Sequence, residues 1–106
     1  MVRVSLKLDA EGQVRYLRVE GHAGSDERGK DIVCAAVSAV SVGAVNCLDD
    51  RESCYAISVG KGLLECQVLE EVSAHDRVVL EVVRRELFDL ADTYPDYIQY
   101  QEERSL

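Results

Sequence analysis

A histidine and a cysteine, residue types able to cooperate in acyl transfer, stand twelve positions apart in this chain. His22 lies in the glycine-rich stretch Gly21-His22-Ala23-Gly24. Cys34 lies in Gly29-Lys30-Asp31-Ile32-Val33-Cys34-Ala35-Ala36-Val37-Ser38. A cysteine at a helix start sits among unpaired backbone N–H groups and at the positive end of the macrodipole. Both favour the thiolate, and a nearby imidazolium favours it further. The chemistry this points to is nucleophilic attack by Cys34, with His22 as general base and then as acid toward a leaving amine. Backbone N–H groups at the helix start, that of Cys34 among the candidates, would stabilise the oxyanion. Spacing alone does not bring the pair into contact. A loop histidine bonded to backbone and an inert buried cysteine would use the same residues.

Asp31 has two readings. As N-cap of the following helix, its carboxylate accepts from the first free N–H groups, which is the expected place for an aspartate. As a third member of the site, it orients the imidazole. Ser38 shares a helix face with Cys34 one turn on, where it either bonds near the thiol or faces the sheet. Residues 24–31, Gly-Ser-Asp-Glu-Arg-Gly-Lys-Asp, come near the phosphate-binding pattern G-x-x-x-x-G-K-[ST]. Asp31 replaces the metal-binding hydroxyl there, and two acidic residues would face the phosphates. Nucleotide binding is therefore not expected.

The remaining cysteines, Cys47, Cys54 and Cys66, form no C-x-x-C pair and match no zinc-ligand spacing. They read as small core residues with free thiols. A redox switch would need a resolving cysteine near Cys34, and Cys47 lies more than about three helical turns away. No metal and no cofactor are expected. His75, in the first turn of a later helix, reads as solvated. Tyr94, Tyr97 and Tyr100 read as packing residues that could also line an apolar subsite or an interface.

The elements that must hold these residues follow from periodicity. Val2, Val4, Leu6 and Leu8 alternate with polar residues as a half-buried strand. A turn over 9–12 leads to a second strand marked by Val14, Tyr16 or Leu17, and Val19, with a bulge expected near Leu17. Residues 21–30 read as a loop. A helix over 32–48 follows, with Cys34 its third residue and an apolar stripe of Val33, Val37, Val40, Ala44 and Leu48. Residues 54–59 and 63–69 form a hairpin around Gly60-Lys61-Gly62. Ser73 and Asp76 resemble a capping box that opens a second helix over 74–93, with Val79, Val82, Val83, Leu87, Leu90 and Ala91 inward and Pro95 stopping it. Residues 97–101 make a short last strand. The fold class expected is α+β: a two-layer β-β-α-β-β-α with an antiparallel sheet and two helices.

The chain has 106 residues and a net charge of −8. That length suits one domain, 1–106, burying roughly 65% of the surface exposed by its unfolded form. A cleft shared across a dimer would ease the building of a site on so small a core. The acidity disfavours direct nucleic-acid binding and favours a basic partner, or serves solubility alone. No segment is long and apolar enough for a membrane span, and the N-terminus lacks a signal-peptide core. A cytoplasmic location is the default expectation.

On the Gly21-His22-Ala23 segment and the block from Gly29 to Val40, the chain resembles the bacterial ribosomal-processing cysteine proteases. The His-loop-Asp-x-x-Cys-Ala block is the specific part. The element order and Tyr-rich ending extend the resemblance more loosely over the whole length. The resemblance implies a small α/β homodimer that removes the N-terminal extension of a large-subunit ribosomal protein precursor. That protein reaches toward the peptidyl-transferase centre. It also implies that the family's catalytic histidine and cysteine fall on His22 and Cys34, with Asp31 and Ser38 in support. Gly21, Ala23, Gly24, Gly29 and Lys30 fall in its substrate loop, which is mobile in the family and orders over substrate. Arg28 stands where members often carry an aromatic residue, and favours polar contacts there. The alternative is a noncatalytic module that binds a basic ribosomal protein through the same groove.

Overall fold

The computed structural model describes residues 1–21 and 28–105, without the side chains of 28–31. In chain order the elements are β1 (Val2–Leu8), β2 (Val14–Glu20), α1 (Arg28–Asn46), α2 (Arg51–Cys54), β3 (Tyr55–Gly60), β4 (Leu63–Val68), α3 (Ala74–Thr93) and β5 (Ile98–Arg104). The five strands form one sheet in the order β3-β4-β2-β1-β5. Every pairing is antiparallel except β1 with β5. The exception follows from the connections. α3 carries the chain back along the sheet, so β5 points the same way as β4, and therefore the same way as β1. The α+β expectation holds, with a short third helix, α2, that periodicity did not mark.

Val2, Val4, Leu6 and Leu8 all turn inward, as their alternation requires. The bulge lies two residues before its expected place. Lys7 pairs with Tyr16 and Leu8 with Val14, which leaves Arg15 as the extra residue. That insertion resolves the choice between Tyr16 and Leu17: Val14, Leu17 and Val19 are buried. Arg15 leaves the ladder and donates to the carbonyl oxygens of Glu70 and Val68 at 3.2 and 3.4 Å.

The buried stripe of α1 is Val33, Val37, Ser41 and Val45, continued by Leu48, whereas Val40 and Ala44 are only half-buried. Ser41 is 1% exposed because its hydroxyl donates to the Val37 carbonyl at 2.7 Å and brings no unmet polar group inside. α3 spans the residues expected and buries Asp76, Leu80, Val83 and Leu87. Val82, expected inside, is exposed, and Leu80 takes the core position instead. The run Val78-Val79-Leu80 with Val82-Val83 is apolar on several faces, so periodicity leaves the helix's rotation open.

Asp76 sets that rotation. The Ser73 hydroxyl accepts from the Asp76 N–H at 3.1 Å, the expected cap. The Asp76 carboxylate itself is buried and gathers three other partners. The Tyr55 hydroxyl donates to it at 2.7 Å, the Asp49 N–H at 3.0 Å, and His75 Nδ1 lies at 2.8 Å. Burial pushes the Asp76 carboxyl up, but the hydrogen bonds from Tyr55, His75 and the Asp49 backbone outweigh it and hold the carboxyl below its ordinary value. His75 is not simply solvated. Its hydrogen bond to Asp76, and then the Asp49 charge 3.2 Å away, raise its pKa above the ordinary value. Among the described residues no buried side-chain nitrogen or oxygen lacks a partner.

A depressed carboxyl contributes stability above its unfolded pKa, which is lost as pH falls through the folded one. A raised histidine contributes below its unfolded pKa, and that is lost as pH rises through its folded one. The clasp is thus strongest between about pH 4 and 6.5, the ordinary values of the two groups. Asp76→Ala, which strands the Tyr55 hydroxyl, should cost about 1–3 kcal/mol by urea denaturation. It should also flatten both limbs of the stability–pH curve. A variant with native stability and native limbs would show that the clasp bears nothing.

Candidate active site

α1 crosses the sheet with Cys34 and Ser38 on one edge of its buried stripe. Cys34 is half-buried and Ser38 exposed. Both line a small cavity of about 120 Å³, closed below by Val2 and Val19 and at the side by the β3–β4 hairpin, Val59 to Leu64. Gly21 lines the same cavity. Its φ of 91° lies in the left-handed region, and a Cβ there would collide with the Met1 carbonyl oxygen. The close approach lets the Gly21 N–H donate to the Gly62 carbonyl at 3.0 Å, which ties the end of β2 to the hairpin turn. Glycine therefore walls one side of the cavity because no other residue fits.

The structure shifts the local frame of several expected residues. α1 begins by Arg28, so Asp31 lies inside the first turn and is not the N-cap. Gly29 and Lys30, expected in the loop, are also helical. Arg28 and Lys30 are good helix formers, and the helical state extends back through them past Asp31. Cys34 is then the seventh helical residue, not the third. The dipole's effect fades beyond the first turn, so it supports a Cys34 thiolate less than expected. Helix geometry also commits the Cys34 N–H to the Lys30 carbonyl, which removes it as an oxyanion donor in this conformation. His22, Ala23 and Gly24 lie outside the described residues. The described residues thus bring together Cys34, Ser38 and Gly21, the residue immediately before His22.

Sequence reasoning missed the contribution of the hairpin. Val59, at the end of a segment read only as a strand, and Gly60 and Gly62, read only as its turn, wall the cavity. The glycines flanking Lys61 were the available signal. Of the other cysteines, Cys66 is buried as expected, and burial pushes its thiol up to about 11. Cys54 is half-buried, but Cys47 is exposed rather than in the core. Among the described residues, Asp49, His75 and Asp76 bring ligand-type atoms within 4.8 Å of one another. The Asp76 oxygens are already occupied by Tyr55, Asp49 and His75, which marks the group as a structural clasp. Tyr97 and Tyr100 pack against the core, and the Tyr100 ring meets Phe88 edge-on at 5.5 Å. No described helix is long and apolar enough to cross a membrane.

The family model of the cysteine protease Prp matches residues 1–99. The chain belongs to the cysteine protease Prp family. It is similar to the ribosomal processing cysteine protease Prp of Mycoplasma pneumoniae (strain ATCC 29342 / M129 / Subtype 1), 31% identical over 88 residues, which are 83% of this chain and 87% of that one. Its similarity to the Prp of Staphylococcus aureus (strain NCTC 8325 / PS 47) is 44% over 48 residues, 45% of each chain, so that match spans just under half the relative's length. The crystal structure of an essential ribosomal processing protease Prp from S. aureus in complex with a substrate peptide shares the fold. Its TM-score is 0.85 at 25% identity, over 97% of this chain and 100% of that one.

Because the cavity depends on a residue without a Cβ, Gly21→Ala should destabilise the protein by about 1–3 kcal/mol through backbone strain alone. A thermal melt should show a midpoint lower by roughly 4–8 °C for each kcal/mol. An unshifted midpoint would mean that Gly21 does not need its left-handed conformation.

Proposed function

We propose that this protein is a cysteine endopeptidase that removes the N-terminal extension of a large-subunit ribosomal protein during ribosome maturation. Cys34 is the nucleophile and His22 the general base and acid. The observation that carries this is the shared cavity: Cys34 and Ser38 line it together with Gly21, the residue that precedes His22 in sequence. Family membership supplies the reaction class.

In this mechanism the Cys34 sulfur attacks the scissile carbonyl carbon and His22 takes the thiol proton. The tetrahedral intermediate collapses, the C–N bond breaks, and His22 gives the proton to the leaving amine. The extension remains on Cys34 as a thioester, which water then hydrolyses. Since Asp31 does not cap α1, its proposed role becomes orientation of His22, and Ser38 presents its hydroxyl to the bound peptide. Gly21, Ala23, Gly24, Gly29 and Lys30 belong to the segment that meets substrate. No cofactor takes part, and the partner is a basic protein drawn by the net charge of −8, not nucleic acid or a membrane. The proposed setting is the cytoplasm.

We further assign a homodimer, supported by an apolar strip between α1 and α3. Val78 is 61% and Val82 47% exposed there, beside the small residues Ala39 and Gly43. Light scattering of the purified protein should give twice the chain mass, and a monomer mass would remove this assignment.

One observation favours the noncatalytic alternative: Cys34 lies past the helix's first turn, where its thiolate loses dipole support. Incubating the protein with the extended ribosomal precursor, beside Cys34→Ala, and weighing the products separates the two. A single cut near the precursor's N-terminus is expected, slowed on the order of 10⁴-fold or more in the variant. An uncut precursor that remains bound would select the binding module.

A further inference from the structure

The two edges of the sheet are built differently. β5, at one edge, ends in Glu102-Glu103-Arg104, the kind of charged rim that discourages strand pairing. β3, at the other, reads Tyr-Ala-Ile-Ser-Val-Gly, with no charge, no proline and no bulge. Nothing in its sequence blunts it.

Its free backbone groups can be assigned from the hairpin. The Leu69 N–H donates to the Cys54 carbonyl at 2.8 Å, which marks Cys54 as a residue facing β4. Backbone direction alternates along a strand. Ala56, Ser58 and Gly60 therefore also bond to β4, while Tyr55, Ile57 and Val59 turn their N–H and C=O groups to the open edge.

This edge runs directly from the Cys34 cavity. Val59 is 57% exposed and lines that cavity, and it also lines a second, larger hollow bounded by Tyr55, Ile57 and residues 49–53. At the far end stand Asp49, Asp50 and Glu52 with Arg51 among them, a net negative group. From Val59 to Tyr55 the strand covers about 13 Å, four residues of extended chain.

We infer that the open edge of β3 is the docking strand for the substrate: an extended, basic peptide adds as a sixth, antiparallel strand, with its scissile bond at Cys34. This rests on the protease function proposed above. An antiparallel peptide runs from the Cys34 end toward Tyr55, so residues after the cut travel along β3. Main-chain bonds to Val59 and Ile57 hold them whatever their side chains. Lysines or arginines about four to five residues after the cut then meet the acidic end. The neutral edge thus confers affinity for extended chain, and the acidic end selects which chain.

The test uses the full-length protein and the extended ribosomal precursor, with synthetic peptides spanning the mapped cut. Val59→Pro removes one outward N–H and no bond to β4. It should lower kcat/KM about 5–10-fold, mainly through KM, with the thermal midpoint retained. Should that variant unfold, N-methylation of the peptide tests the same bonds without touching the protein. Methyl groups at alternate positions after the cut should each weaken cleavage by a similar factor, and those between them should not. Asp50→Lys with Glu52→Lys should lower kcat/KM about 2–10-fold at low salt and little at high salt. A folded Val59→Pro with unchanged kcat/KM, or N-methyl effects without a two-residue period, would overturn the docking strand. A periodic effect confined to residues before the cut would overturn its direction. A precursor left uncut by the unaltered protein would overturn the protease function and this inference with it.

Discussion

One buried carboxylate organises this fold. Asp76 is 2% exposed, and an isolated ionised group there would cost several kcal/mol. Its partners come from different elements: the Asp49 N–H just beyond α1, the Tyr55 hydroxyl at the start of β3, and His75 in the first turn of α3. The same residue donates its own N–H to the Ser73 cap. The burial cost thus becomes a geometric constraint, because the charge is tolerated only while all of these elements stay in place. It joins the end of α1 to the start of β3, and those two elements form the walls between which Cys34 opens.

The cavity end depends on a complementary constraint, the absence of side chain. Gly21 lets the end of β2 pass the Met1 carbonyl and bond to Gly62. The carboxylate clasp and the glycine contact hold opposite ends of the β3–β4 hairpin. Between them lies an edge strand of neutral residues, kept in register by β4 alone. Rigid support at both ends suits a strand that must accept another chain without losing its own pairing.

Much of this was legible in the residues. The alternation from Val2 to Leu8, the Ser73–Asp76 cap and Pro95 each act locally, and each placed its element where the structure has it. What failed was decided at longer range. The bulge falls on Arg15, and distant carbonyls of Glu70 and Val68 receive its guanidinium. The phase of α3 is set by Tyr55 and Asp49, remote in sequence from the helix, because its own valines fit several rotations. β5 joins β1 in parallel through a crossover that periodicity does not encode.

The site shows the same division. Cys34 and Ser38 share one face of α1, as their four-residue spacing suggested, and the fold adds Gly21 to the same cavity, which spacing alone did not give. Asp31 looked like a cap because its side chain suits that place, but the helix formers before it carried α1 back to Arg28. That change removes the Cys34 N–H from the oxyanion role and leaves attack by the Cys34 sulfur as the central chemical claim. Acid-quenching the reaction with the precursor during turnover, then mapping the protein's mass, tests that claim most directly. The account predicts a transient adduct on Cys34 whose added mass is that of the released extension less one water. Cleavage that proceeds with Cys34 never modified would contradict it.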